Sequence, residues 1–189
     1  IEEPRIHMLA QSGQGSAADF EFLIEAFNRE IQGLEAEVWV HTCWGNPSQQ
    51  RMFWNIPSYE NAMEHLLRLN VDAITLECAS SGETDLSFLS GIETEKKIAI
   101  GVISHTNTVV EPPQIVASRI RNALKYLPPE RLILSSDCGF GREGLSRRIA
   151  FFKTVSLVQG TNIIRKELGL PEVTIRAENP KFAFGQIPL

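Results

Sequence analysis

Residues 97–104 read KIAIGVIS, a short run that is almost continuously apolar through its middle. Three further runs share this character: residues 37–43 (EVWVHTC), 72–79 (DAITLECA) and 131–138 (RLILSSDC). Each run is rich in Val, Ile or Leu and lacks the strict alternation of apolar and polar residues that marks a half-exposed strand. Strands that are buried on both faces have this pattern, so the four runs predict a parallel sheet.

Segments with helical periodicity lie before, between and after these strands. We expect helices over four of them: residues 19–33, 58–69, 111–126 and 145–168. Residues 80–97 are rich in Ser, Gly, Thr and Glu, and there we expect a loop with a short helix near residues 84–90. No element is predicted from Pro171 onward. Because no repeat or linker divides the chain, we expect one domain over residues 1–189.

Strands that alternate with helices form either an open doubly wound sheet or a (β/α)8 barrel. None of the four strands is followed by a G-x-G-x-x-G or a G-x-x-x-x-G-K-[ST] motif, so the sequence contains no nucleotide-binding fingerprint. A complete barrel has eight strands and typically about 250 residues, more than this chain contains. The choice between the two architectures therefore depends on where the reactive side chains lie.

The charge balance excludes several classes of partner. The 189 residues include 18 Lys and Arg against 23 Asp and Glu, which gives a formal net charge of −5. Neither nucleic acid nor an anionic membrane surface is expected to bind a chain without a basic stripe. No apolar run approaches the roughly 20 residues of a membrane helix, and no secretion signal opens the chain. Three cysteines are too few for a disulfide scaffold, so we expect a cytoplasmic protein with small-molecule partners.

Reactive side chains stand at the carboxyl ends of all four predicted strands, where α/β proteins bind their ligands. In chain order these ends are His41-Thr42-Cys43, Glu77-Cys78, Ser104-His105 and Asp137-Cys138. His41 and Cys43 are two residues apart on a strand, so both side chains point to the same face. Glu77 and Cys138 can complete a set of one nitrogen, two sulfurs and one oxygen, which favours Zn²⁺ in a tetrahedral site.

Two thiolates and one carboxylate would give such a site an excess of one negative charge. An electron-rich zinc ion is a poor Lewis acid for making hydroxide, and it is better suited to holding a substrate thiol as a nucleophilic thiolate. Because the carboxylate is the hardest of the four ligands, we expect Glu77 to be the one that yields to the substrate.

Each of these residues also has a purely structural interpretation. A single Cys in a strand is more often a small buried hydrophobe than a ligand, and Cys78 fits this description because it faces away from Glu77. We expect His7 and His65 to be surface or helix residues without a role. His105 taken alone is equally consistent with a satisfied polar group and with an acid–base catalyst.

Taken in order, the strand-end residues resemble the C-terminal catalytic barrel of the cobalamin-independent methionine synthases. The resemblance covers residues 1 to about 169 and is carried by four motifs. These are IEEP at residues 1–4 (I-D-E-P in the family), HTCWGN at 41–46 (H-M-C-Y-S-N), GVISH at 101–105 (G-V-Y-D-I-H) and SDCGFGRE at 136–143 (P-D-C-G-L-K-T-R).

This resemblance implies a TIM barrel and a zinc-dependent thiol methyltransferase of methionine biosynthesis. The metal ligands it implies are His41, Cys43, Glu77 and Cys138. The ion would bind homocysteine as a thiolate, which attacks the N5-methyl group of a methyltetrahydrofolate. His105 matches the position that delivers a proton to the departing folate nitrogen. Glu2 matches the acidic residue that meets the ammonium group of the amino-acid substrate.

Some features are more similar to the short, single-barrel branch of this family, which includes epoxyalkane:coenzyme M transferase. Glu2 stands where the family has Asp, and Trp44-Gly45 replaces Tyr-Ser beside the metal ligands. Two alternatives therefore stay open. One is a zinc-dependent alkyltransferase that adds a thiol such as coenzyme M to an epoxide, and the other is a non-catalytic fragment with a structural zinc.

Four strands, a start within IEEP and an initial Ile1 in place of Met predict that the chain is part of a barrel. We expect roughly its C-terminal half, about four β/α units. The N-terminal half would then be removed, disordered or supplied by another chain, and it is an expected partner.

Overall fold

The computed structural model describes residues 1–45, 58–80, 85–141, 145–179 and 181. Asn46 and residues 142–143, which end two of the sequence motifs, lie outside the described residues. The described helices are α1 (Arg5–Ser12), α2 (Ala17–Glu30), α3 (Glu60–Leu66), α4 (Pro113–Ala123) and α5 (Arg147–Glu167). The described strands are β1 (Trp39–Thr42), β2 (Ala73–Leu76), β3 (Lys97–Ile103) and β4 (Leu132–Ser136).

The four strands form one parallel sheet in the order β1-β2-β3-β4, which confirms the parallel sheet predicted from the four apolar runs. The first residues of the chain continue this sheet beyond β1, where Glu2 forms a parallel bridge with His41. The His41 N–H donates to the Ile1 carbonyl at 2.8 Å, and the Glu3 N–H donates to the His41 carbonyl at 3.0 Å. The IEEP motif therefore lies directly beside the strand that carries His41.

The two faces of the sheet differ in chemistry. On β3, Ile98, Ile100 and Val102 alternate onto one face and lie in the same hydrophobic cluster as Val116 and Ile120 of α4. This face is the core between sheet and helices. The register pairs His41 with Thr75 and Thr75 with Ala99, so their side chains share the opposite face. That second face carries the polar residues at the strand ends.

The helices differ from their predicted bounds mainly at the ends. The helix predicted from residue 19 begins at Ala17 because Ser16 and Asp19 form a capping box, in which each side chain accepts a hydrogen bond from the other's backbone N–H. Helix α1 was not predicted, and its buried residues, Ile6 and His7, are too few to produce a clear helical period. The short helix expected near residues 84–90 is a 3₁₀ turn at Ser87–Leu89, with residues 81–84 outside the described part.

Helix α5 is the longest described helix, with 21 residues, and ends beside Gly169 as the sequence predicts. Gly169 has a φ of +69°, and this left-handed conformation lets the Leu170 N–H reach the Arg165 carbonyl at 2.8 Å. None of the helices in the described ranges has both the length and the apolar character that a membrane crossing requires.

Candidate metal centre

Three strand ends bring four potential metal ligands together: His41, Cys43, Glu77 and Cys138. Each offers one ligand atom, and these atoms all lie within 4.8 Å of one another. His41 lies in β1 and Cys43 follows it, Glu77 follows β2, and Cys138 lies two residues beyond β4. These are the four residues that the sequence predicts as ligands.

The two thiols and the imidazole are in direct contact. His41 Nε2 lies 3.3 Å from Cys138 Sγ, and the Sγ atoms of Cys43 and Cys138 are 3.6 Å apart. Both cysteines are buried, whereas His41 is partly exposed on the open side of the sheet. Of the four residues, only His41 is therefore partly accessible to solvent.

Glu77 supplies the oxygen of the set, and its side chain is fully buried. Its Oε1 accepts a hydrogen bond from the Trp44 N–H at 3.3 Å, while Oε2 has no hydrogen-bond partner among the described residues. A buried carboxylate oxygen without a donor is costly, and a cation among the neighbouring thiols would satisfy it. The orphaned Oε2 therefore fits a metal ion at this position.

The electrostatics of the cluster give the same indication. Burial, followed by the negative charges of Cys43 and Asp137, raises the pKa of the Glu77 carboxyl to about 10. The hydrogen bond with Cys138, followed by burial, raises the pKa of the Cys43 thiol to about 11. Both groups favour their protonated forms in this setting, and a divalent cation would favour the ionised forms. Among the metals that proteins use, two sulfurs with one nitrogen and one oxygen best suit Zn²⁺.

Residues outside the cluster fix the direction of its ligands. Thr75 Oγ1 lies 2.7 Å from His41 Nδ1, which leaves Nε2 free to face Cys138. The Tyr59 hydroxyl donates to the Thr42 carbonyl at 2.7 Å and accepts from the Glu77 N–H at 3.2 Å, so it links the ends of β1 and β2. Thr75 stands two residues before Glu77, and strand alternation alone would have placed it on the same face. Tyr59 lies at the start of α3, so strand alternation does not predict its position beside the cluster.

His7 lies in α1, in agreement with the expectation of a surface or helix residue, and is buried against the end of β1. It is fully buried, with Nε2 3.2 Å from the Cys43 carbonyl oxygen and its ring edge-on to Trp44 at a centroid distance of 4.4 Å. Burial lowers its pKa to about 4, so the ring is neutral at pH 7. His7 therefore supports the backbone of Cys43, one of the four candidate ligands.

The two other predicted site residues lie near the cluster and outside it. His105 follows β3 at the carboxyl edge of the sheet and is almost completely buried. It lies near Asp137, where burial raises the pKa of the carboxyl and the charge of His105 opposes that rise. Glu2 is exposed and pairs in register with His41, which places its side chain on the face that carries the cluster. Cys78, which follows Glu77, belongs to the hydrophobic cluster instead, as the sequence predicts.

Comparison with known proteins gives a consistent assignment. Residues 18–158 match a family model described as the catalytic domain of cobalamin-independent synthase. A methionine synthase from Thermococcus kodakarensis is 33% identical over 145 residues, which are 77% of this chain and 39% of that protein. A methionine synthase from Saccharolobus solfataricus is 31% identical over 168 residues, 89% of this chain and 44% of that protein.

Solved structures of the same kind share the fold. A B12-independent methionine synthase from Shewanella sp. W3-18-1, in complex with selenomethionine, superposes with a TM-score of 0.71 at 28% identity, over 88% of this chain and 48% of the other. A vitamin-B12-independent methionine synthase described as putative, from Listeria monocytogenes, matches at 22% identity with a TM-score of 0.56, which speaks to the fold alone. The chain spans less than half the length of each of these relatives.

Proposed function

The chain belongs to the cobalamin-independent methionine synthase family, and we propose that it forms the zinc-binding part of a thiol methyltransferase active site. Its α/β fold corresponds to about four β/α units of a TIM barrel. The observation that carries the proposal is the convergence of four ligand atoms within 4.8 Å at the carboxyl edge of the sheet. We propose His41, Cys43, Glu77 and Cys138 as the ligands of the zinc ion.

The proposed reaction transfers a methyl group from a methyltetrahydrofolate to homocysteine. A bound zinc ion would hold the thiol as a thiolate that stays nucleophilic at neutral pH. The bond from sulfur to the methyl carbon forms as the bond from that carbon to the folate nitrogen breaks, and His105 gives the nitrogen its proton. Selenomethionine in the Shewanella relative supports a site for amino acids of this shape.

Glu2 is the proposed anchor of the substrate ammonium group. Its side chain stands on the same face as His41, and an exposed carboxylate beside the ligand cluster can pair with a cationic amine. We propose in addition that residues 1–189 act as one domain, the C-terminal part of the barrel. The chain covers less than half the length of each of these relatives, which supports a pocket completed by an N-terminal half outside this sequence.

Cobalt substitution tests the proposal directly, because thiolate ligands give Co²⁺ a characteristic absorption. We expect homocysteine to perturb the cobalt bands, and homoserine, which has a hydroxyl in place of the thiol, to leave them unchanged. Turnover is then assayed with homocysteine plus methyltetrahydrofolate and with coenzyme M plus an epoxide. Cobalt bands that respond to no thiol would indicate a structural ion and contradict the proposal, and turnover only with the epoxide would move it to alkyl transfer.

Replacing His105 by Asn tests the proton donor. We expect zinc content to be unchanged and the methyl-transfer step to slow by roughly 100-fold or more, the usual contribution of a general acid. His65→Asn is the matched control, since His65 stacks on Phe20 at a centroid distance of 3.8 Å, in a contact between α2 and α3. An unchanged rate in His105→Asn would remove the proposed role.

A further inference from the structure

Asp137, between β4 and the ligand Cys138, has a carboxylate that reaches across the sheet. The residue is almost fully buried, and its Oδ1 accepts hydrogen bonds from the backbone N–H groups of Cys78 at 2.7 Å and Ala79 at 2.9 Å. Both groups follow Glu77 at the end of β2. Since β3 lies between β2 and β4, the carboxylate passes over an entire strand to make these contacts.

Gly101 of β3 leaves the space through which the carboxylate passes. A Cβ at this position would collide with Asp137 Oδ1 and would lie 2.9 Å from Asp137 Cα. Any other residue would therefore displace the carboxylate or push the strands apart. The φ of Gly101 is not positive, so its backbone conformation does not call for glycine. What calls for glycine at this position is the space that the Asp137 carboxylate occupies.

The second carboxylate oxygen extends the same connection to the end of β3. Oδ2 accepts from the Ser80 hydroxyl at 2.5 Å, and Ser80 Oγ lies 3.0 Å from Ser104 Oγ. Ser104 Oγ in turn accepts from the Thr106 N–H at 3.2 Å. Ser104 and Thr106 are the two neighbours of His105 in the chain. One buried carboxylate thus connects the ends of β2, β3 and β4.

We propose that Asp137 is a positioning residue that sets the spacing between Glu77 and Cys138, and that Gly101 is required to make room for it. The proposal rests on the metal site proposed above. Ligands on β2 and β4 share no backbone hydrogen-bond ladder, because these strands are not neighbours. Without a direct connection their distance would depend on small adjustments of the whole sheet, and a metal site needs its ligands held to a fraction of an ångström.

The experiment measures zinc affinity of the full chain by competition with a chromophoric chelator, together with the cobalt absorption spectrum. We expect Asp137→Ala to weaken zinc binding roughly 10- to 100-fold, as loss of a residue that orients metal ligands does, because it removes both carboxylate oxygens that contact Cys78, Ala79 and Ser80. Gly101→Ala should have a similar effect, with cobalt bands that are weakened and shifted in both variants. In the Asp137→Ala background, Gly101→Ala should add little, since the carboxylate it displaces is gone.

Gly160→Ala is the matched control for a general loss of packing. A Cβ at Gly160 in α5 would lie 2.6 Å from Val116 Cβ in α4, and neither helix contributes a residue to the cluster. We expect it to lower stability and to leave zinc affinity unchanged. Equal loss of affinity in Gly101→Ala and Gly160→Ala would overturn the proposal, because the effect would then be one of stability alone.

The result also separates this proposal from the metal site itself. A Cys138→Ala variant that binds zinc as tightly as the wild type would refute the site. If Cys138→Ala loses zinc and Asp137→Ala binds it as tightly as the wild type, only the role of Asp137 is refuted. If Asp137→Ala does not fold, Gly101→Ala carries the test, since its Cβ would displace the Oδ1 atom that contacts the backbone after β2. A folded Gly101→Ala with wild-type zinc affinity would overturn the proposal equally.

Discussion

At the scale of single residues, the three cysteines provide an internal comparison. Cys138 belongs to the cluster of four candidate ligands and Cys78 to the hydrophobic core, although both follow the ends of strands in the same sheet. We expect Cys138→Ala to lose bound zinc, and Cys78→Ala to keep one equivalent per chain with a modest loss of stability. Metal analysis of the purified variants checks this. Equal zinc content in the two variants would remove Cys138 from the ligand set.

His7 predicts a pH dependence of stability. The ring has a pKa of about 4 in the fold against 6.5 in the unfolded chain, so between these values the unfolded chain binds more protons and acid favours unfolding. The contribution is fully present above pH 6.5 and is lost as pH falls toward 4, up to about 3 kcal/mol. Urea unfolding in excess chelator, where metal release plays no part, should show this loss in the wild type and not in His7→Phe. Parallel pH profiles of the two proteins would contradict it.

The convergence of the four candidate ligands could be predicted from the sequence, because parallel strands present their carboxyl ends at one edge of the sheet, whatever the details of packing. His41, Cys43, Glu77 and Cys138 are each placed by a strand, and strands are the elements with the clearest pattern here. His7 and Tyr59 approach from helices, so their positions depend on how those helices pack. The position of Asp137 at the end of β4 could be predicted from the sequence. The crossing of its carboxylate over β3 could not, because it depends on the absence of a side chain at Gly101.

At the scale of elements, a buried ion pair joins α5 to the segment between β3 and α4. Lys153 Nζ, fully buried in α5, donates to Glu111 Oε2 at 2.8 Å, and Glu111 Oε1 accepts from the Ser104 N–H at 2.8 Å. Lys153→Met would leave a buried carboxylate with a weaker partner, Arg119 at 3.6 Å. We expect a loss of about 3–5 kcal/mol in the free energy of unfolding.

The double variant Glu111→Gln/Lys153→Met is the control for that prediction. It removes both charges together, so it should lose less stability than Lys153→Met alone. Urea unfolding at pH 7 measures all three proteins. If the free energy of unfolding of Lys153→Met lies within about 1 kcal/mol of the wild-type value, on the order of one exposed ion pair, the Glu111 carboxylate finds another partner and the prediction is wrong.

The ends of the helices were less predictable than the positions of the strands, because they also depend on packing in three dimensions. The sequence marks a helix end when a cap lies within it, as Gly169 does for α5. Helix α3 stops at Leu66, three residues before the predicted end, and α4 begins and ends inside its predicted range. In both cases apolar residues continue past the helix because the turn that follows is also packed into the core, with Leu69 and Leu127 buried.

At the scale of the whole molecule, the proposed zinc ion would connect β1, β2 and β4 and so stabilise the fold. A ligand that binds only the native state adds about 2.7 kcal/mol when its free concentration is 100 times its Kd. For a chain of this size, that corresponds to a rise in Tm of roughly 5–10 °C. Thermal unfolding at buffered free zinc concentrations measures the effect, and we expect Cys138→Ala to show none. A zinc-dependent Tm in that variant would place the ion elsewhere.

The strand order has a consequence for how the centre is assembled during synthesis. Sheet order follows chain order, so His41, Cys43 and Glu77 leave the ribosome together with the strands that hold them. Cys138 and Asp137 follow about 60 residues later, which at 5–20 residues per second is roughly 3–12 seconds. During that interval a nascent chain contains three of the four proposed ligands and lacks both Cys138 and Asp137. The proposed metal site is therefore complete only after β4 and the two residues that follow it have been synthesised.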